Sequence, residues 1–166
     1  MILETTRLNV RELNSASDAE FICALLNSPK FIKYIGDRCV RTAEDAAKFI
    51  DERYRKSYRD HGYGLYAVEL KDGTQIGICG FVRRVTLPGP DIGFAFLPQY
   101  ERQGFGYESA AAMMKYGYDE FGFTTIYAIT SHDNDASGSL LEKLGFNFDK
   151  LITCDGDTVK LFVSIV

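Results

Sequence analysis

The stretch Asp91-Ile92-Gly93-Phe94-Ala95-Phe96-Leu97-Pro98-Gln99-Tyr100-Glu101-Arg102-Gln103-Gly104-Phe105-Gly106-Tyr107-Glu108-Ser109-Ala110 decides how this chain is read. It begins as a strand, turns at Pro98, and passes through Gly104 and Gly106 into an amphipathic helix. Apolar or small side chains at Ala110, Met113, Met114, Gly117 and Phe121 share one face, and Gly122 stands where it caps the C-terminus. A strand that feeds a helix through glycines leaves several backbone N–H groups unpaired and pointing outward. Gly104 and Gly106 remove the side chains that would block close approach, so the helix N-terminus suits an anion, above all a phosphate.

Upstream, residues 3–13 alternate through Leu3, Leu8, Val10 and Leu13 and predict a first strand. Ser17 with Glu20 three residues on is a capping-box pattern, opening a helix through Phe21, Ile22, Leu25 and Leu26 that Pro29 ends or restarts near 31–35. Thr42 with Asp45 opens a longer helix, 46–58, which Gly62 and Gly64 break. Strands are expected over 63–70 and 75–85, joined by the Asp72-Gly73 turn, and then over 91–97. Beyond the glycine-loop helix come a strand at 124–129, a helix at 135–144 stopped by Gly145, and strands at 146–152 and 159–166. This order predicts an α/β fold with a mixed sheet, in a single domain spanning 1–166.

Composition narrows the function classes. Hydrophobic residues make up 46% and charged residues 25% of 166, the balance of a globular chain with one sizeable core. A net charge of −4 argues against a nucleic-acid partner. No apolar run approaches a membrane span and the N-terminus lacks a signal-peptide core, so no membrane partner and a cytoplasmic location are expected. Cys23, Cys39, Cys79 and Cys154 are scattered, and the histidines are only His61 and His132. A disulfide framework or metal site is therefore not expected.

The common nucleotide motifs fail. In the dinucleotide fingerprint a third glycine would follow Gly104 and Gly106, where Ser109 stands instead, and no Walker loop is present. The chain resembles the GNAT superfamily of N-acetyltransferases, within it the branch similar to ribosomal-protein N-terminal acetyltransferases. The superfamily loop Q/R-x-x-G-x-G/A is matched by Glu101-Arg102-Gln103-Gly104-Phe105-Gly106 except at its first position. The resemblance also takes in Leu3-Glu4-Thr5-Thr6-Arg7-Leu8, Asp91-Ile92-Gly93-Phe94, Asn134-Asp135-Ala136-Ser137 and Leu141-Glu142-Lys143-Leu144-Gly145-Phe146.

The resemblance implies a mostly antiparallel mixed sheet, flanked by helices, with one splayed strand pair that binds acetyl-CoA. It implies that main-chain amides of Arg102, Gln103, Gly104, Phe105, Gly106 and Tyr107 hold the pyrophosphate, and that the strand edge at Phe96 and Leu97 pairs with the pantetheine arm. Asn134 is expected to contact that arm, and Ser137 or a nearby tyrosine to protonate the leaving thiolate. From spacing alone, Asn134 or Asp135 reads as a helix cap with Ser137 in the first turn. Asp91 is the candidate general base, against the plainer reading of a turn residue after Pro88-Gly89-Pro90. The implied activity is direct acetyl transfer to a primary amine, on a protein N-terminus or a small molecule, within a ternary complex. A catalytically silent acyl-CoA-binding domain is the alternative. The oligomeric state reads as monomer or homodimer, with the apolar C-terminal strand Leu161–Val166 a candidate for pairing across a dimer.

Overall fold

The computed structural model describes residues 1–166 and contains one eight-stranded sheet in the order β1-β2-β3-β4-β5-β6-β8-β7. The strands are β1 (Leu3–Glu4), β2 (Leu8–Arg11), β3 (Leu65–Leu70), β4 (Gln75–Arg83), β5 (Pro90–Phe96), β6 (Thr125–Ser131), β7 (Asn147–Cys154) and β8 (Asp157–Ile165). Neighbours pair antiparallel except β5 and β6, which run parallel and share a single register pair, Asp91 with Tyr127. From that point the two strands diverge, and the expected mixed, mostly antiparallel sheet with a splayed strand pair is present. The predicted first strand is split: Leu3 folds back on Val10 and Glu4 on Asn9.

Helices cover the sheet unequally. On one face α5 (Phe105–Phe121) and α6 (Asp135–Lys143) pack Phe105, Met113, Met114 and Leu141 onto Tyr66, Val68, Phe81 and Ile92. On the other, α1 (Ala19–Leu26), α2 (Pro29–Tyr34) and α3 (Ala43–Phe49) bury Phe21, Ile22, Leu25, Phe31 and Ala46 against Leu13, Ala67 and Ile78. Tyr66 and Val68 thus face one core and Ala67 the other, as a strand buried on both faces requires. The predicted 46–58 helix is continuous in the chain but changes winding. After α3 comes a π-helical stretch (Ile50–Arg55) and then α4 (Lys56–His61), ended by Gly62 in the left-handed region.

Two expectations are corrected. The residue at the start of α1 is Asp18 rather than Ser17, and its side chain makes no cap bond. It is fully buried and accepts from Arg11 Nη1 and Nη2 (both 2.8 Å), the Asn14 amide (2.7 Å) and Gln75. Burial works against the charged carboxyl, but these donors outweigh it and hold Asp18 below the ordinary aspartate value. The second correction concerns the C-terminal strand. β8 lies between β6 and β7 and is hydrogen-bonded on both sides, so its backbone has no free edge for a dimer partner; the outer strand is β7.

Candidate active site

The site begins where β5 leaves β6. Along β5 the backbone groups of alternate residues face opposite neighbours. Leu97 N–H donates to the Ile76 carbonyl on the β4 side (2.9 Å), so Phe94 and Phe96 turn their amides toward the open space left by β6. Leu97 is fully engaged, because its carbonyl also accepts from Tyr100 N–H (3.0 Å). Of the two edge residues expected from the sequence, the free strand edge thus belongs to Phe96, extended inward by Phe94. Gly77 on β4 pairs with Phe96, and a Cβ there would collide with the Phe96 ring.

At the mouth of this cleft a 3₁₀ turn (Pro98–Tyr100) leads into the loop 101–104. Arg102 and Gly104 adopt φ of 59° and 84°, both left-handed, and Gly104 stands at the N-cap of α5 with no side-chain cap. The first α5 amide to bond inside the helix is that of Glu108, which donates to the Gly104 carbonyl (3.1 Å). The amides of Gly104, Phe105, Gly106 and Tyr107 precede it, and they are the donors that a helix start leaves for an outside acceptor. Gly106 has a second reason to lack a side chain: its Cβ would lie 3.1 Å from Leu140 of α6. Arg102, Gln103 and Tyr107 are exposed and Phe105 is buried.

On the opposite wall β6 runs into α6. Asn134 caps that helix, its Oδ1 accepting from the Ser137 amide (3.3 Å), which leaves the Nδ2 group and the half-buried Ser137 hydroxyl unbonded within the protein. Asp91 sits at the closed end of the strand pair. It is 2% exposed, a strand residue rather than a turn residue, and its Oδ2 accepts from Arg84 Nε. Burial pushes the Asp91 carboxyl up to about 6, with the Arg84 charge pulling the other way.

Concavity alone does not mark this place. Cavities of about 450 and 250 Å³ lie elsewhere, one between α1 and α3 around Cys23 and Asn27, the other beside Leu87, Tyr127 and Leu161. The structure contains no cluster of three or more His, Cys, Asp or Glu side chains that could hold a metal, and no helix is long and apolar enough to cross a membrane.

Comparison with known proteins decides what the cleft belongs to. The family model for the acetyltransferase (GNAT) domain matches residues 7–147. The chain belongs to the GNAT family. An uncharacterized N-acetyltransferase of Bacillus subtilis, YoaA, is 31% identical over 152 residues, covering 87% of this chain and 82% of that protein. The acetyltransferase of Agrobacterium tumefaciens shares its fold with a TM-score of 0.83 at 20% identity, over 98% and 92% of the two chains. RimL, a ribosomal-protein alpha-N-acetyltransferase solved in complex with coenzyme A, does so with a TM-score of 0.84 at 18% identity, over 99% and 97%.

This GNAT protein is therefore an acetyltransferase, and at Gly106 its glycine loop lies against Leu140 of α6 and the Phe96 ring of β5. Sequence reading missed two residues beside the loop, Arg7 and Glu108, while Glu101 was visible as a departure from the motif. Glu101, the departure from the family pattern, accepts from Lys30 of α2 (2.6 Å) and so points to the helices rather than into the loop. Arg7 and Glu108 pair across the loop. Burial would raise the Glu108 carboxyl, but hydrogen bonds from Thr5 and Arg7 hold it below the ordinary glutamate value. Only their charge types were visible beforehand; the pairings join residues about a hundred positions apart.

Proposed function

We propose that residues 1–166 act as one acetyl-CoA-dependent N-acetyltransferase domain, transferring acetyl to a primary amine by direct attack in a ternary complex. The observation that carries this reading is the single β5–β6 register pair, followed at once by an uncapped helix start. A diphosphate suits the amides of residues 102–107, because they offer convergent donors and the positive end of a helix dipole. An amide-bearing arm suits the free edge at Phe96 and Phe94, with the unspent Asn134 Nδ2 as a further donor. These are features of the chain that fit acetyl-CoA.

In the reaction the neutral amine attacks the thioester carbonyl, the C–N bond forms, and the C–S bond breaks. The amine proton must leave and the thiolate must gain one. Ser137 is the residue we assign to the thiolate: its hydroxyl is half-buried, lies beside Asn134 and is not spent on another protein group. Asp91 is assigned to the amine proton, with a carboxyl raised to about 6, and so ionised yet still basic at neutral pH. Arg84 holds its Oδ2 and leaves Oδ1 without a protein donor. The acceptor is an amine on a peptide N-terminus or a small molecule, in keeping with the shared fold of RimL.

The test is steady-state kinetics with acetyl-CoA against a panel of peptides, polyamines and amino acids, following thiol release. Amine-dependent release with intersecting initial-velocity lines is expected. Parallel lines would exclude direct transfer, and binding without amine-dependent turnover would favour the silent acyl-CoA-binding reading. The role of Asp91 has its own signature. Because its carboxyl is raised in the folded state, its contribution to stability is fully present only below the ordinary aspartate value of 3.8 and is lost as pH rises through about 6. Asp91→Asn should remove that fall, on the order of 3 kcal/mol between the two limits, and lower kcat about 100-fold. Unchanged kcat would reduce Asp91 to a structural partner of Arg84.

A further inference from the structure

The opening segment Leu3–Leu8 has no part in the chemistry above, yet its side chains converge on the glycine loop. Thr5 Oγ1 donates to Glu108 Oε1 (2.6 Å), and the Arg7 backbone N–H donates to the same oxygen (2.9 Å). Arg7 Nε donates to Glu108 Oε2 (2.6 Å), and Nη1 donates to the Gln103 carbonyl (2.9 Å). The guanidinium lies over the Phe105 ring, 4.3 Å from its centre, and Nη2 lies 3.2 Å from where a Cβ on Gly104 would stand.

We propose that Arg7 is a positioning residue for acetyl-CoA. Its rigid fork ties the Gln103 carbonyl to the first turn of α5 and thereby aims the amides of Gly104–Tyr107 at the pyrophosphate. This rests on the reading of that loop as a diphosphate cradle.

Three features make such a brace necessary. The loop takes two left-handed residues within three positions, one of them the non-glycine Arg102, a conformation that persists only when its surroundings impose it. The loop's own side chains tie only its upstream half, Glu101 to Lys30 (2.6 Å) and Gln103 Nε2 to the Gln99 carbonyl (2.9 Å), and neither reaches the first turn of α5. The third feature is Glu108 itself. A carboxylate in the first helical turn satisfies the dipole but competes with an incoming anion, unless it is drawn aside and neutralised. Arg7 and Thr5 do both, placing three donors on its two oxygens. A lysine could neutralise Glu108 but could not hold a carboxylate and a carbonyl in one plane, so the brace and the charge are separable.

The experiment is calorimetric titration of acetyl-CoA into the wild type, Arg7→Met and Arg7→Lys, with amide hydrogen exchange of each protein without ligand. We expect Arg7→Met to weaken binding about tenfold or more, and Arg7→Lys nearly as much. Amides 108–111, the first in α5 to be hydrogen-bonded within the helix, should exchange faster in both variants, while β3 and β4 keep their protection and the KM for the amine is unchanged. Wild-type affinity in Arg7→Lys would leave only a charge effect and overturn the proposal. So would a lower melting temperature with unchanged affinity and unchanged exchange at 108–111. No binding by the wild type would overturn the cradle reading and the proposal together, a pattern distinct from the other two.

Discussion

The starts of α3 and α5 solve the same problem in opposite ways. At α3 the Thr42 side chain accepts from the Asp45 amide (3.0 Å), and the Asp45 carboxylate accepts from the Thr42 and Arg41 amides (3.2 and 3.1 Å). At α5 the N-cap is Gly104, no side chain caps anything, and the first turn presents bare amides at the mouth of the strand cleft. The start of α3 satisfies its own donors, whereas that of α5 forgoes a cap worth about 1 kcal/mol and leaves its donors unspent, the arrangement an anion site at a helix start requires. The start of α6 stands between the two: Asn134 caps through Oδ1 and leaves Nδ2 without a protein partner.

Substitutions at these helix starts can break or sharpen the contrast. The largest effect is expected at α1, where the N-cap residue Asp18 caps nothing and is bound instead to Arg11 and Gln75. Asp18→Ala should cost about 3 kcal/mol in denaturant unfolding, more than a lost cap, because it removes the buried acceptor of Arg11, Asn14 and Gln75 and leaves Arg11 with Glu69 as its one carboxylate partner. A loss near 1 kcal/mol would mean that the network is dispensable. At α5, Gly104→Asp puts a charged side chain on a left-handed residue in front of the amides. It should weaken acetyl-CoA binding about 100-fold by calorimetry while the protein stays folded. Retained affinity would remove the bare helix start from the site.

Asn134→Ala should show both characters at once, a stability loss of about 1 kcal/mol and a several-fold rise in KM for acetyl-CoA. A stability loss alone would make it a cap like Thr42. The smallest effect is at α3: Thr42→Ala should lower stability by about 1 kcal/mol and leave acetyl-CoA affinity untouched. A change in affinity there would show that the two helix starts are coupled.

The features legible in the sequence are those whose physics is local. The Thr42/Asp45 box, the hairpin glycine at Gly73, the left-handed Gly122 that ends α5 and the Pro29 restart of α2 all depend on residues within a few positions. The misread ones depend on distant partners. Ser17 looks like a cap, but Asp18 takes the N-cap position and its carboxylate goes to Arg11 and Gln75, which only the sheet brings near. The winding change at Ile50–Arg55 has no marker in residue type. Apolar alternation in β8 identifies a strand but not its neighbours, so an inner strand was read as a possible outer one.

The sequence by itself determined most of the order of elements and the glycine-led start of α5, because chain-local sterics and hydrogen bonding settle them, and its motifs carried the family resemblance. Tertiary structure alone decided that β5 and β6 separate after Asp91 and Tyr127, that Phe96 rather than Leu97 keeps the free strand edge, and that Arg7 reaches the loop. Those outcomes come from sheet register and from contacts across about a hundred residues, and no run of neighbouring side chains encodes them.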